Sequence, residues 1–332
     1  GLGRHVELEA GLRADVHRPV ANAGPIGLAP KLTVRVMPPR THLTLTGGVG
    51  RSWQYSQALA PAGPSIGPDL YVTDVWFLAA DTVPALRADI ATLGAERWIG
   101  SGWTVAANAF LRRVTGVAVP EPASGPLNNR RPIFVTATNA ARGLELSLRR
   151  LVGRWTISAA YSLTRSELRD VSALYGIPFS YPSPEDRRRV WNLTAMVRLA
   201  DAWRIGGAFT AARGAPFTRF QLGLAPCASD ACPGSDTTAL FIEGPGAERT
   251  AAYASLDLLA DWTHQFGHAR LGAYLQVRNL LNRTNAVTYT GTVAQCAPVP
   301  HRRVPVPGRP GVCDRFDRGV PLLPLVGVRV VF

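Results

Sequence analysis

Lysine is nearly missing from this 332-residue chain: Lys31 stands alone among 36 basic residues. Soluble enzymes of this size normally carry surface helices rich in Lys and Glu. No amphipathic helical stretch of convincing length is present here. No run approaches the ~18 consecutive apolar residues of a membrane-crossing helix. The six histidines are scattered. There is no Gly-x-Ser-x-Gly elbow, no His-Glu-x-x-His pair and no phosphate loop. No catalytic residue, cofactor site or metal ligand is therefore assigned. A basic helix and an aromatic–basic signature are both missing, so nucleic acid fits poorly as a partner. Gly1 is not an initiator methionine, and no charged-then-apolar leader follows it, so the chain reads as a mature form or a fragment of a longer one.

What is present is punctuation and alternation. The 32 glycines and 27 prolines point to many turns and loops. The mean hydropathy of +0.04 is near neutral. A transmembrane barrel has that average, because lipid-facing and lumen-facing residues alternate. The net charge of +13 is almost all arginine. It fits solvated loops, anionic lipid headgroups or an anionic ligand.

The last segment shows the alternation best. Val326, Val328, Val330 and Phe332 share one face, and Leu325, Gly327, Arg329 and Val331 share the other. Termini usually fray, so a chain rarely ends on its most buried aromatic. A strand that closes a barrel against lipid has a reason to end this way. The same rhythm runs through the chain. Val6, Leu8, Ala10, Leu12, Ala14 and Val16 alternate with Glu7, Glu9, Arg13 and Asp15. Trp155, Ile157, Ala159, Tyr161 and Leu163 alternate with Thr156, Ser158, Ala160, Ser162 and Thr164.

About twelve such strands are predicted, with connections that alternate short and long. Short turns are expected after residues 36, 99, 151, 199 and 266, and long loops after 16, 56, 119, 169, 224 and 290. Outer-membrane barrels segregate short periplasmic turns from long outer loops, whereas a sandwich has no reason to. Trp98, Trp103, Trp155, Trp203 and Trp262 fall beside the short turns and are expected to form an aromatic girdle. The predicted fold is thus all-β: a transmembrane antiparallel up-and-down β-barrel in the cell outer membrane, with Phe332 at the periplasmic side. A soluble ligand-binding β-sheet protein is the competing class.

Several segments carry a family resemblance. Ala141-Arg-Gly-Leu-Glu-Leu-Ser-Leu148, Gly153-Arg-Trp155 and Tyr161-Ser-Leu-Thr-Arg-Ser166 resemble consecutive strands of a TonB-dependent outer-membrane receptor. Val277-Arg-Asn-Leu-Leu-Asn-Arg-Thr-Asn285 is similar to the family's penultimate-strand motif, and residues 319–332 to its closing strand. The likeness covers nearly the whole chain and is most specific over 141–332. One departure is Arg189, where the family often has a histidine after Asp-Arg-Arg.

The resemblance implies that residues 1–332 are the C-terminal portion of a barrel of about 22 strands. An N-terminal plug and the TonB complex it contacts would lie outside this chain. The implied function is active uptake of a scarce ligand, such as a ferric siderophore or other large nutrient. The resemblance also implies that Val326, Val328, Val330 and Phe332 form a signal read by the barrel-assembly machinery. The alternative is a self-contained twelve-stranded barrel acting as a passive pore, adhesin or membrane enzyme.

Four cysteines sit in two long loops and allow three pairings. Cys227–Cys232 and Cys296–Cys313 are the expected disulfides, since both loops would face an oxidising exterior. Zinc is the rival, without a matching His/Cys spacing. Arg165, Arg187, Arg188 and Arg189 lie near the expected outer rim, as solvated charge, as contacts to lipopolysaccharide phosphates, or as a site for an anionic extracellular ligand.

Overall fold

A computed structural model describes residues 5–17, 26–59, 75–80, 83–100, 102–120, 134–171, 178–217, 220–224, 238–242, 246–289, 311–312 and 316–331. Twelve strands form one continuous antiparallel sheet in chain order. They are β1 (Val6–Val16), β2 (Ile26–Val36), β3 (Leu43–Gln54), β4 (Leu86–Ile99), β5 (Trp103–Pro120) and β6 (Phe134–Arg150). The path continues through β7 (Trp155–Val171), β8 (Arg189–Arg198), β9 (Trp203–Ala212), β10 (Tyr253–Phe266), β11 (Ala269–Arg278) and β12 (Leu323–Val331). Each strand pairs with its sequence neighbour, the signature of an up-and-down wall. Among the described residues, β1 and β12 do not pair with one another, so the sheet is open.

The turns joining β2–β3, β4–β5, β6–β7, β8–β9 and β10–β11 span two to six residues and share one end of the sheet. The long connections share the other end, as the alternation predicted. The last two begin earlier than expected, after Ala212 and Arg278 rather than 224 and 290. Each departure has a local cause. Ala215 N donates to the Thr250 hydroxyl instead of continuing the ladder. Asn279 adopts a left-handed φ of 49°, which ends β11.

Register sorts the side chains onto two faces. Leu93, Ala109, Leu144 and Leu163 stand directly opposite one another across β4, β5, β6 and β7. Further along, Ala260, Leu275 and Val326 line up across β10, β11 and β12. Large apolar side chains on this face are open to the surroundings: Val326 is 79% exposed and Leu93 67%. Soluble monomers rarely expose contiguous apolar patches beyond a few hundred Å². Instead of a dry interior between packed sheets, the described residues contain one small buried cluster, Val83 with Ala118 and Phe77. Among the described residues the apolar rows therefore have no packing partner, as the two sheets of a sandwich would provide.

The opposite face is polar. Lys31 Nζ lies 3.0 Å from Glu9 and Arg35 2.8 Å from Glu7, linking β2 to β1. Asp261 on β10 accepts from Arg204 of β9 at 2.8 Å, with Arg329 of β12 at 3.8 Å. Exposed pairs of this kind add little stability; their consequence is a wettable face. Gly327 supplies clearance there, because the Tyr274 ring of β11 occupies the place its side chain would take.

Candidate functional site

The short-turn end carries aromatic side chains. Trp203 and Trp262 are direct register partners on the apolar face. Trp262, His264 and Phe266 follow at two-residue spacing, with Trp262–His264 centroids 5.9 Å apart and His264–Phe266 centroids 4.5 Å apart. Trp103 lies under the Arg150 guanidinium, 5.5 Å from its ring centre. Trp155 keeps the same parity as Ile157. Trp98 does not join them: its register places it on the polar face, opposite Thr104. Nearness to a turn gave its level, but parity decides its face.

The long-loop end is held by three buried polar clamps. The first is Gln57, in the short strand Ser56–Leu59. Its Nε2 donates to the carbonyls of Pro84 and Gly116, both at 2.8 Å, and its Oε1 accepts from Ala118 N at 3.0 Å. Gly116 has a φ of 87° and forms a bulge in β5.

The second clamp is Asp186, whose side chain is fully buried. It accepts from Ser166 N at 2.9 Å, Arg188 Nε at 3.2 Å and Arg249 Nη2 at 2.5 Å. Arg249 Nη1 also donates to the carbonyls of Asp186 and Gly214. One carboxylate thereby ties the segment before β8 to β7 and to the segment before β10.

The third clamp is the asparagine-rich run after β11. Asn279 Nδ2 donates to the carbonyls of Arg283 and Val320. Asn282 Oδ1 accepts from Leu322 N at 3.1 Å. Asn285 exchanges two hydrogen bonds with the backbone of Ala254. These side chains replace ladder partners where the strands part.

The four rim arginines are not one cluster. Arg188 is committed to Asp186, and Arg187 is half-buried in the turn beside it. Arg189 opens β8 opposite Leu163 and is exposed. Arg165 is on the apolar face and pairs with Glu167. Val326, Val328 and Val330 stand exposed on the apolar face of β12, while Phe332 lies outside the described residues. Cys227, Cys232, Cys296 and Cys313 also lie outside them. Among the described residues no cluster of His, Cys, Asp and Glu could hold a metal ion.

The family model for "TonB dependent receptor-like, beta-barrel" matches residues 2–280. The chain belongs to the TonB-dependent receptor-like β-barrel family.

Solved structures agree on the fold of this receptor barrel. The FrpB iron transporter of Neisseria meningitidis superposes with a TM-score of 0.57 at 17% identity, covering 99% of this chain and 43% of that one. The pyoverdine outer-membrane receptor FpvA of Pseudomonas aeruginosa gives 0.57 at 13% identity, covering 100% and 40%. The ferric yersiniabactin uptake receptor FyuA of Yersinia pestis gives 0.56 at 13%, covering 99% and 43%. The chain thus spans less than half the length of these relatives. No curated protein matches it.

In a barrel of this family the apolar face meets lipid and the polar face lines the lumen. The residues that period-two reading missed are the clamps: Gln57, Asp186, Arg249 and Asn285. They sit beyond the alternating segments, where periodicity carries no signal. The Asn-rich run was visible as a motif, but its role as a strand terminator needed coordinates.

Proposed function

We propose that this chain is the C-terminal barrel portion of an outer-membrane receptor for active uptake of a scarce ligand, such as a ferric siderophore or another large nutrient. A plug carried elsewhere in the full protein would couple it to the TonB complex. The supporting observation is one wall that combines a lipid-directed apolar face, a charged lumenal face and long loops gathered at a single end. A passive pore can share these three features, and the family match over residues 2–280 is what favours the receptor. A self-contained twelve-strand barrel would also pair β1 with β12, which the open sheet does not do.

The ligand in this reading arrives from the long-loop side. Arg187 is the rim arginine left to meet an anionic chelate there, since Arg188 is already engaged by Asp186 and Arg189 shares the lipid-directed face of its register partner Leu163. Catalysis has no part in the proposal, in keeping with relatives named as transporters and receptors. The closing strand, with Val326, Val328, Val330 and Phe332, would serve as the signal for the barrel-assembly machinery.

The test is uptake of radiolabelled ferric siderophores by cells lacking the gene and by complemented cells, each with and without functional TonB. Complementation should restore uptake of at least one chelate, and loss of TonB should abolish it. Uptake that persists without TonB would replace this reading with that of a passive pore.

A further inference from the structure

The apolar face changes character abruptly near its long-loop end. Above the row Leu93–Ala109–Leu144–Leu163, the next row across β4 to β7 is Ala91–Leu111–Arg142–Arg165. The row after it is Asp89–Arg113–Ala140–Glu167, and the one after that Arg87–Thr115–Thr138–Arg169. Arg51 of β3 joins on the same face, opposite Asp89. Six arginines thus share this face with two carboxylates, within three rows of bare leucine.

Their internal pairing is incomplete. Arg51 and Arg87 both use Asp89, at 2.6 and 3.4 Å, and Arg165 uses Glu167. Among the described residues, Arg113, Arg142 and Arg169 have no carboxylate partner. Arg142 and Arg165 even stand directly opposite one another, an arrangement that is destabilising without an anion between them. The small Ala140 between Arg113 and Glu167 leaves a surface depression of about 490 Å³ bounded by these arginines. A second depression of about 620 Å³ adjoins it and shares Arg142 and Arg165. Its border is apolar, with Leu93, Leu111, Leu144 and Leu163.

We propose that this outer-wall patch binds a phosphate-bearing glycolipid of the outer leaflet, with phosphates among the arginines and an acyl chain along the leucines below. Guanidinium groups suit this role, because their fork matches phosphate oxygens bidentately and holds charge regardless of local polarity. The patch crosses five strands, about 19 Å at ordinary strand spacing, enough for a headgroup with more than one phosphate. A soluble anion would satisfy the arginines but leave the leucine depression empty. A zwitterionic phospholipid would fill the depression but bring no net negative charge to the unpaired guanidiniums. The inference rests on the apolar face meeting lipid and is independent of which ligand the barrel transports.

The experiment uses the full-length protein carrying this wall, purified in detergent and stripped of lipid. It is titrated with rough lipopolysaccharide bearing its lipid A phosphates, with the same lipid dephosphorylated, and with inorganic phosphate, and bound lipid is read by native mass spectrometry. The Arg113→Gln/Arg142→Gln variant is compared with Arg149→Gln on the lumenal face, each first shown to be folded by heat-modifiable gel mobility. The phosphorylated lipid should bind the parent protein, and the double variant should bind it about tenfold or more weakly. Arg149→Gln should match the parent. Equal binding of the dephosphorylated lipid overturns the proposal without recourse to any variant. So does equal loss in Arg149→Gln, unchanged binding in the double variant, or displacement of the lipid by inorganic phosphate.

Discussion

Arg249 reaches the buried carboxylate of Asp186 across 63 residues of sequence, with Nη2 2.5 Å from Oδ2. That contact joins the base of one long loop to the base of the next. Its energetic importance comes from burial: the Asp186 side chain is wholly enclosed, and two guanidiniums converge on it. Replacement by asparagine leaves both arginines without their charge partner, a loss of about 3–5 kcal/mol for a buried pair. Asp186→Asn should lower the thermal midpoint of the detergent-solubilised protein. It should also open protease cleavage within 178–188 and 246–252 while the wall itself stays protected.

Leu146 and Ser147 are neighbours in sequence and lie on opposite faces of β6. Leu146 stands opposite Ala107 and Tyr161 on the lipid side; Ser147 stands opposite Ala106 and Ala160 on the lumenal side. Leu146→Arg should cost about 2–4 kcal/mol, as charge on the lipid face near the bilayer midplane does. Ser147→Arg should be close to neutral. Denaturant titration of the two variants in liposomes checks this. Equal effects would mean that the faces are misassigned.

Gly116 and Gly267 separate backbone strain from collision. Both have positive φ, 87° and 55°. Gly267 has open space around a hypothetical side chain, whereas at Gly116 one would strike the Ala85 carbonyl. Gly267→Ala should therefore cost only the conformational term, about 1–2 kcal/mol. Gly116→Ala should cost more, because the bulge held by Gln57 must shift. The difference between the two thermal midpoints measures the collision.

Thiol titration of the unreduced, unfolded protein addresses the cysteines. If Cys227–Cys232 and Cys296–Cys313 are the pairs, no free thiol reacts before reduction and four react afterwards. The longer closure should contribute about 3 kcal/mol in the chain-entropy model. Four free thiols in protein exported to the cell surface would dismiss both bridges.

Deleting Phe332 should reduce the amount of folded barrel in the outer-membrane fraction, leaving synthesis unchanged. Immunoblots of whole cells and of membranes, with and without heating, separate the two quantities. Normal assembly would remove the closing strand from its role as a recognition signal.

The wall was legible in the sequence because lipid on one side and water on the other enforce a strict two-residue period. Trp155 to Leu163 and Leu144 to Leu148 show it plainly, and the alternation of short and long connections fixed the order of twelve strands. Periodicity fails where strands leave the membrane. Residues 213–224 keep enough apolar character to look like a continued β9, yet Gly214 and the Thr250 hydroxyl divert the chain. Trp98 shows the complementary limit, since its position beside a turn says nothing of parity. The arginine patch was also within reach. Arg113 and Arg142 continue the parity of Leu111 and Leu144 by one more step, but a period of two is noticed most easily while it stays greasy.

The three clamps separate inheritance of the wall from inheritance of what it displays. Gln57, Asp186 and Asn285 each close off a strand end through main-chain groups or arginines 2 to 63 residues away in sequence that flank the loops, so these contacts do not draw on the residues further out. Substitutions in those outer segments would therefore leave the staves between them in place.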